Sequence, residues 1–363
     1  MSTPAWKTLL ADSITTADAL CAAYPQLAPQ QDSLRRVISR YPLRINPYYQ
    51  GLFSGPGDAL WKQAVPDPRE LQDTEGLIDP LAEEAHAPVA NITHRYPDRV
   101  LFLVSNACAL HCRFCTRKRK TGTGFAVNEQ TIRQGLDYIR SRPEVRDVLV
   151  SGGDPLLLEN EQLAAILDGL RSIAHVEIIR IGSRIPCVLP QRITPELARM
   201  LSRFQPVYIN THFNHPAEIT PAAASACALL SDAGIPLGCQ TVLLKGVNDT
   251  PAVIRELMQR LLAIRVRPYY LHHMDCTLGT RHFRTGIQAG LDIVRALRGH
   301  TSGMCVPHYV IDLPGGGGKV PLTPEYVVGV EQQDLLLKNY QGELFKYRLS
   351  REDREQAAAL FSF

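Results

Sequence analysis

The sequence predicts an α/β fold: a partial (β/α)6 barrel with a helical N-terminal extension and a C-terminal segment. From residue 100 onward, short β-rich runs alternate with amphipathic helical stretches at intervals of about thirty residues. This alternation favours a parallel sheet, and six such units are two fewer than a closed eight-stranded barrel contains. The residues with unusual chemistry follow the predicted strands, which is where such barrels hold their active sites.

The predicted strands are the runs richest in β-branched and apolar residues: Val100–Ser105, Asp147–Ser151, Val176–Ile181, Val207–Thr211, Leu237–Leu244 and Pro268–His272. Three of the intervening helices have a clear start, because Thr194, Thr220 and Thr250 each precede a proline. Threonine can cap the first turn, and proline at the first helical position loses no hydrogen bond. Gly234 is expected to end the helix that begins after Thr220.

The chain divides into three predicted segments. Residues 1–94 form the helical extension, residues 95–300 the barrel, and residues 301–363 the C-terminal segment. With 39 basic and 36 acidic residues the formal charge is only +3, so composition gives no case for nucleic acid or anionic membrane. The apolar runs are strand-sized, no signal pattern opens the chain, and most cysteines are scattered singly. We therefore expect a soluble, cytoplasmic protein.

A cysteine loop directly follows the first predicted strand. Cys108, Cys112 and Cys115 have C-x3-C-x2-C spacing, which places three thiols in a short loop. Three thiolates leave one position open on a soft metal centre such as a [4Fe–4S] cluster. A zinc site would need a fourth ligand, for which His111 is the neighbouring candidate, and three inert buried thiols are a further interpretation.

Short polar motifs follow the next strands. Ser151–Asp154 reads Ser-Gly-Gly-Asp, where the missing Cβ atoms would let a ligand approach the main chain, although an ordinary βα turn could use the same residues. Gly182–Arg184 and Thr211–His215 occupy the corresponding positions after the two strands that come next. These motifs should therefore meet at one end of the barrel.

The segment Asp312–Lys319 reads Asp-Leu-Pro-Gly-Gly-Gly-Gly-Lys. A flexible linker is the plain alternative, but the β-rich run Met304–Ile311 and the apolar run Val320–Leu322 flank it. It is not a phosphate-binding P-loop, because Val320 stands where Ser or Thr is required. A lysine delivered by such a loop can form a Schiff base with pyridoxal phosphate (PLP).

Together these motifs resemble those of the lysine 2,3-aminomutases, radical S-adenosylmethionine (SAM) enzymes that also use PLP. The resemblance extends from about residue 40 to about residue 330, and it rests on Cys108–Arg117, Asn210–Pro216, Arg298–Gly303 and Pro314–Lys319. It implies a radical SAM barrel. It also implies migration of an amino group from C2 to C3 of an amino acid, begun by a 5′-deoxyadenosyl radical.

The resemblance further implies roles for individual residues. Cys108, Cys112 and Cys115 would bind the cluster, and Lys319 would carry PLP, with Arg95 and Arg99 at its phosphate. Gly152, Gly153, Asp154, His212 and Gln240 would contact SAM. Arg117 would bind the substrate carboxylate, and Asp275 and Asp312 would bind the distal amino group of lysine. Each aspartate could instead cap a turn, and Lys118–Lys120 are expected to form a solvated loop.

The function implied by the resemblance is conversion of L-lysine to β-lysine, since two carboxylates suit a cationic side chain. Alternatives are the same chemistry on arginine or another cationic amino acid, or supply of β-lysine for an elongation factor. From a different class, an iron–sulfur or nucleic-acid-binding protein without catalysis could use Arg113–Lys120 as a basic patch. Expected partners are the amino acid and an electron donor such as flavodoxin or ferredoxin. A homo-oligomer is left open, and neither membrane nor nucleic acid is expected.

Overall fold

The computed structural model of this chain describes residues 4–122 and 125–354. Its main sheet contains β1 (Ile92–Tyr96), β2 (Arg99–Ser105), β3 (Asp147–Gly152), β4 (Ile178–Gly182), β5 (Val207–Thr211), β6 (Leu237–Leu243), β7 (Val266–His273), β8 (His308–Leu313) and β9 (Gly318–Pro321). Strands β2 to β8 follow one another in parallel, and β1 and β9 are antiparallel edges. A second, antiparallel sheet contains β10 (Val327–Glu331), β11 (Asp334–Lys338) and β12 (Leu344–Arg348). The predicted fold class, a partial barrel preceded by helices, is confirmed.

All the predicted strands are present, with small shifts at their ends. The structure adds β8, which pairs in parallel with β7 and was not assigned to the sheet from the sequence. The run Met304–Ile311 signalled strand character, and the helix Ile287–Leu297 makes the crossover from β7, but the two were not combined into a further βα unit. The division of the chain at residues 94 and 300 stays a prediction.

The N-terminal extension contains α1 (Ala5–Ala11), α2 (Ala17–Ala23), α3 (Gln31–Arg40), α4 (Pro47–Gln50) and α5 (Ala59–Ala64). The connection between α3 and α4 packs on the loop that follows β2. There, Ile45 forms a β-bridge with Leu110. The side-chain amide of Asn46 donates hydrogen bonds to the carbonyls of Ala109 at 3.0 Å and Val188 at 2.9 Å. The extension therefore supports the segment that carries the cysteines.

The remaining helices are α6 (Glu129–Arg140), α7 (Asn160–Arg171), α8 (Ile185–Val188), α9 (Pro195–Ser202), α10 (Pro221–Asp232), α11 (Pro251–Ala263) and α12 (Ile287–Leu297). The three predicted caps are confirmed, because Thr194, Thr220 and Thr250 each accept a hydrogen bond from a backbone N–H in the first turn. Gly234, with φ +77°, follows the end of α10 as predicted. Across the described residues, no helix combines the length and apolar character needed to cross a membrane.

The run of four glycines makes a tight turn between β8 and β9, so the flexible-linker alternative is wrong. Gly315, Gly316 and Gly318 have φ values of 69°, 88° and 88°, in the left-handed region that favours glycine. Because the turn reverses the chain, Asp312 and Lys319 become partners across the antiparallel pair. The sheet register thus places the lysine beside a carboxylate.

Candidate active site

The carboxyl ends of the parallel strands open into a cavity of about 310 Å³. Every predicted site residue except Arg95 and Arg99 lines it. Those two arginines line a second cavity, also of about 310 Å³. The two cavities share Arg117, Gln240 and Lys319 in their walls. The structure therefore brings all the predicted residues to one region at the barrel mouth.

The cysteine loop forms one wall of the first cavity. Burial raises the pKa of the Cys108 and Cys115 thiols. Among the residues that the structure describes, no three His, Cys, Asp or Glu side chains are grouped to hold a metal ion. The zinc interpretation with His111 thus gains no geometric support. A [4Fe–4S] cluster places different demands on its three thiolates, because they bind different iron atoms of the cubane rather than one ion.

The two glycines after β3 are required by the protein's own backbone. A Cβ on Gly152, whose φ is +136°, would lie 2.1 Å from the carbonyl oxygen of Ser105, and one on Gly153 would lie 2.3 Å from that of Ala107. The N–H of Gly153 donates to the Ser105 carbonyl at 2.6 Å, and the N–H of Asp154 donates to the Ala107 carbonyl at 2.7 Å. The backbone segment just before the cysteines therefore packs against these two glycines, in the close contact that the sequence led us to expect from a ligand. Both glycines also line the cavity.

Asp154 connects this turn to the end of β4. Its carboxylate accepts hydrogen bonds from the Ser183 hydroxyl at 2.7 Å and from the backbone N–H of Arg184 at 2.8 Å. Burial raises the pKa of Asp154 to about 6, although these hydrogen bonds act in the opposite direction. The carboxylate thus fixes the segment that carries Arg184.

Arg184 makes a contact with the cysteine loop that the sequence did not reveal. Its Nη1 lies 2.7 Å from the sulfur of Cys112, and its Nη2 lies 2.7 Å from both Gln63 Oε1 and Glu218 Oε1. Glu218 is fully buried and also accepts a hydrogen bond from the Tyr49 hydroxyl at 2.7 Å. The motif Gly182–Arg184 indicated the end of a strand. The residues that contact Arg184 come from distant segments of the chain, and no sequence motif marks them as its partners.

His212 and Gln240 lie in the wall between the cysteines and Lys319. The Nε2 atom of His212 is 2.9 Å from Asn214 Oδ1. Burial, and then the positive charge of Arg184, lower the pKa of His212 to about 3, so its ring is neutral. The side-chain oxygen of Gln240 accepts a hydrogen bond from the Tyr269 hydroxyl at 3.3 Å.

The second cavity is rich in arginine. Arg95, Arg99 and Arg180 line it together with Lys319. Arg95 donates from Nη2 to the Leu81 carbonyl, but its buried Nε has no hydrogen-bond partner among the residues that the structure describes. A buried guanidinium N–H left without a partner, beside further arginines and a lysine, suits an anionic group such as a phosphate. This cavity therefore fits a phosphorylated cofactor.

The two predicted substrate carboxylates differ in their pairing. Lys319 Nζ lies 2.8 and 2.9 Å from the two oxygens of Asp312, and His272 Nδ1 lies 3.5 Å from Oδ2. Burial raises the pKa of Asp312, but His272 and Lys319 outweigh it and lower the pKa to about 2. Asp275 forms no ion pair within the described residues, and burial, followed by the charge of Asp312, raises its pKa to about 7.

Arg117 has an acidic partner that was not predicted. Its Nε and Nη2 lie 2.8 and 2.7 Å from Glu83 Oε1. Glu83 belongs to the loop between α5 and β1, where no motif drew attention to it.

The prediction that Lys118–Lys120 form a solvated loop is wrong. Lys118 and Lys120 are buried, and Lys118 Nζ lies 2.9 Å from Glu70 Oε2. Arg113 is also buried, with its Nη2 2.6 Å from the same carboxylate. A basic run neutralised in this way offers little positive surface to nucleic acid, which counts against the basic-patch alternative.

A partial barrel with three cysteines at its mouth defines the class of protein. This is the radical SAM superfamily, whose family model matches residues 102–261. A second family model, described as lysine-2,3-aminomutase, matches residues 294–361.

Similar proteins of known name narrow the assignment from the superfamily to one family. The chain is 47% identical over 346 residues to L-lysine 2,3-aminomutase of Clostridium subterminale, covering 94% of this chain and 83% of that protein. It is 49% identical over 323 residues to L-lysine 2,3-aminomutase of Methanococcus maripaludis, covering 88% and 75%. It is 42% identical over 344 residues to glutamate 2,3-aminomutase of Clostridioides difficile, covering 94% and 82%. The chain belongs to the lysine 2,3-aminomutase family.

Membership in this family makes the protein a 2,3-aminomutase, an isomerase that acts on an amino acid. The radical SAM superfamily implies a [4Fe–4S] cluster and SAM as cofactors. The relatives act on different amino acids, lysine or glutamate, so the substrate must be argued from the side chains of this site.

Proposed function

We propose that the protein is an L-lysine 2,3-aminomutase, which moves the 2-amino group of L-lysine to C3 and yields β-lysine. The observation that carries this proposal is the carboxylate of Asp275, which lies beside Asp312 and has no ion-pair partner in the described part of the chain. A largely buried carboxylate with a raised pKa is stabilised in its charged form when a cation enters. A hydrogen-bonded ammonium group is such a cation.

The Lys319–Asp312 pair supports an ammonium site. The Nζ atom of Lys319 is itself the end of a lysine side chain, and it contacts both oxygens of Asp312 at 2.8 and 2.9 Å. Once Lys319 is occupied by a cofactor, Asp312 keeps, among the described residues, only the more distant contacts with Arg95 Nη1 at 3.9 Å and His272 Nδ1 at 3.5 Å, which leaves room for a substrate ammonium group. A glutamate substrate would instead bring a third carboxylate to Asp275 and Asp312, which Coulomb repulsion opposes. Arginine remains the competing cationic substrate, since a guanidinium fork also matches two carboxylates.

We assign the cofactors to the residues that the sequence resemblance implies. Cys108, Cys112 and Cys115 would bind the cluster, and Gly152, Gly153, Asp154, His212 and Gln240 would contact SAM. Lys319 would bind PLP, with Arg95 and Arg99 at its phosphate, and the unpartnered Nε of Arg95 supports this part. When bound, the cluster and SAM supply a hydrogen-abstracting radical, and PLP supplies the π system through which nitrogen can migrate.

The chain's own contribution is to position the substrate. Arg117 would bind the α-carboxylate while Asp275 and Asp312 bind the distal ammonium, so both ends of the amino acid are fixed. Lysine that is held at both ends keeps its reacting carbons in one place in the cavity. An external one-electron donor such as flavodoxin or ferredoxin would reduce the cluster.

The test is anaerobic reconstitution with iron, sulfide, PLP and SAM, followed by amino-acid analysis. L-Lysine, L-arginine, L-glutamate and L-norleucine are supplied separately. We expect β-lysine as product and a kcat/KM for lysine roughly tenfold or more above that for norleucine, which lacks the ammonium group. Faster turnover of glutamate or arginine would overturn the lysine assignment.

A further inference from the structure

Glu83 is a buried carboxylate surrounded by cations at the junction of the two cavities. Its Oε1 lies 2.8 Å from Arg117 Nε and 2.7 Å from Arg117 Nη2. Its Oε2 lies 3.2 Å from Arg119 Nη2 and 4.0 Å from Lys120 Nζ. Only 3% of its surface is exposed, and charges from Arg117, Arg119 and Lys120 outweigh burial and lower its pKa. Glu83 is therefore ionised and firmly held.

A strained turn delivers Glu83 to this place. Ala82 has φ +50°, a left-handed conformation that residues with a side chain seldom adopt. The preceding residue, Leu81, lines both cavities, and its carbonyl accepts a hydrogen bond from Arg95. The Ala82 carbonyl contacts the ring Nδ1 of His86 at 2.9 Å. Backbone strain of this kind persists where the surrounding structure requires one chain conformation. Here that conformation lets the Leu81 carbonyl contact Arg95 and the Glu83 carboxylate contact Arg117.

The contact leaves one end of the Arg117 guanidinium available. Glu83 occupies the edge formed by Nε and Nη2, while Nη1 has no hydrogen-bond partner among the described residues. Arg117 faces both cavities, and its side chain is 23% exposed. A guanidinium fixed on one edge loses little further rotamer freedom when an anion binds the other.

We propose that Glu83 is a positioning residue, which holds Arg117 so that its Nη1 side receives the α-carboxylate of the substrate. This inference rests on the role proposed above for Arg117. Glu83 stays in place when substrate binds, because Arg119 and Lys120 also hold it and an unpaired buried carboxylate would be costly. The substrate carboxylate thus adds to the Glu83 contact and does not replace it.

The test compares Glu83→Gln with Glu84→Gln in the reconstituted holoenzyme. Glu84 is the matched control, because it contacts Arg119 and Lys120 but forms no ion pair with Arg117. Binding of lysine and of lysinamide, which lacks the carboxylate, is measured by calorimetry, and KM and kcat are measured for lysine. Iron–sulfur and PLP absorption report whether the cofactors are retained.

For Glu83→Gln we expect lysine affinity to fall roughly tenfold and KM to rise by a similar factor, with a smaller change in kcat. Lysinamide binding should change less than twofold, and Glu83→Asp should recover part of the lysine affinity. Glu84→Gln should resemble the unmodified enzyme in every measurement.

Three results would overturn the proposal. The first is unchanged lysine affinity in Glu83→Gln. The second is an equal loss of affinity for lysine and lysinamide, and the third is loss of cofactor absorption. Either of the last two would make Glu83 a general structural residue. Arg117→Gln separates this failure from failure of the proposed function. If Arg117→Gln binds lysine with normal affinity, the proposed roles of Arg117 and of Glu83 are both wrong. If Arg117→Gln lowers lysine affinity and Glu83→Gln does not, only the role of Glu83 is wrong.

Discussion

The cysteine end and the Lys319 end of the barrel mouth differ in how the protein pairs its buried carboxylates. Beside the cysteines, Arg184 and Glu218 pair with each other and with further side chains, and the Asp154 carboxylate accepts several hydrogen bonds. At the other end, Asp275 has no ion pair within the described chain. A buried guanidinium Nε without a hydrogen-bond partner among the described residues occurs at both ends, on Arg184 and on Arg95. Buried carboxylates are normally paired or hydrogen-bonded, so those beside the cysteines are held by the folded protein, whereas Asp275 is left to pair with a ligand.

The largest expected effect tests the cysteine end. Replacing Cys108, Cys112 or Cys115 by Ala should abolish iron–sulfur absorption and SAM cleavage, because three thiolates leave no spare ligand. Cys227→Ala is the control, since this cysteine is buried on α10 and does not line the cavity. The measurements are visible absorption after anaerobic reconstitution and the yield of 5′-deoxyadenosine. A cluster that survives loss of one of the three thiols would refute the ligand assignment.

Lys319→Ala should separate the two ends of the site. The variant should lose the PLP chromophore and the borohydride-reducible adduct, and with them all aminomutase turnover, because no Schiff base can form at this position. It should keep the cluster and slow SAM cleavage, which depend on other residues. It should also raise the pKa of Asp312, because Lys319 helps to lower that pKa to about 2. A full complement of reducible PLP in the variant would move the Schiff base to another lysine.

The sequence predicted the features that depend on local patterns, but it did not predict contacts between residues far apart in the chain. The six predicted strands, the helix caps and the cysteine loop depend on local patterns, and they were placed correctly from the sequence, whereas β8 was missed. The partners Glu218, Gln63 and Glu83 lie far along the chain from the residues they contact and belong to no motif, so only the fold brings them together. The pairing of Asp312 with Lys319 also depended on the register of β8 and β9, which the glycine run alone does not specify.

Glu218→Gln tests whether the cysteine end is self-sufficient. It leaves the buried Arg184 without its charge partner, so the free energy of unfolding should fall by about 3–5 kcal/mol. Glu196→Gln, which removes one partner of an exposed pair with Arg199, should change it by less than about 0.5 kcal/mol. Urea unfolding of the cofactor-free proteins measures both. Equal free energies of unfolding for the two variants would show that the buried Arg184–Glu218 pair contributes no more to stability than an exposed ion pair.

The smallest effect, and the most direct test of the lysine assignment, concerns Asp275. Its pKa is raised to about 7, and only the carboxylate can pair with an ammonium group, so kcat/KM for lysine should rise with pH through this value. Asp275→Asn should lower kcat/KM for lysine by roughly ten- to a hundredfold and remove the rise. Turnover of norleucine, which has no ammonium group to bind, should change little.

The decisive measurement is therefore the pH profile of kcat/KM for lysine and norleucine, in the unmodified enzyme and in Asp275→Asn. Our account predicts that the preference for lysine grows with pH in the unmodified enzyme and is largely lost in Asp275→Asn. The same preference for lysine in both proteins at every pH would contradict it, because Asp275 would then take no part in binding the substrate.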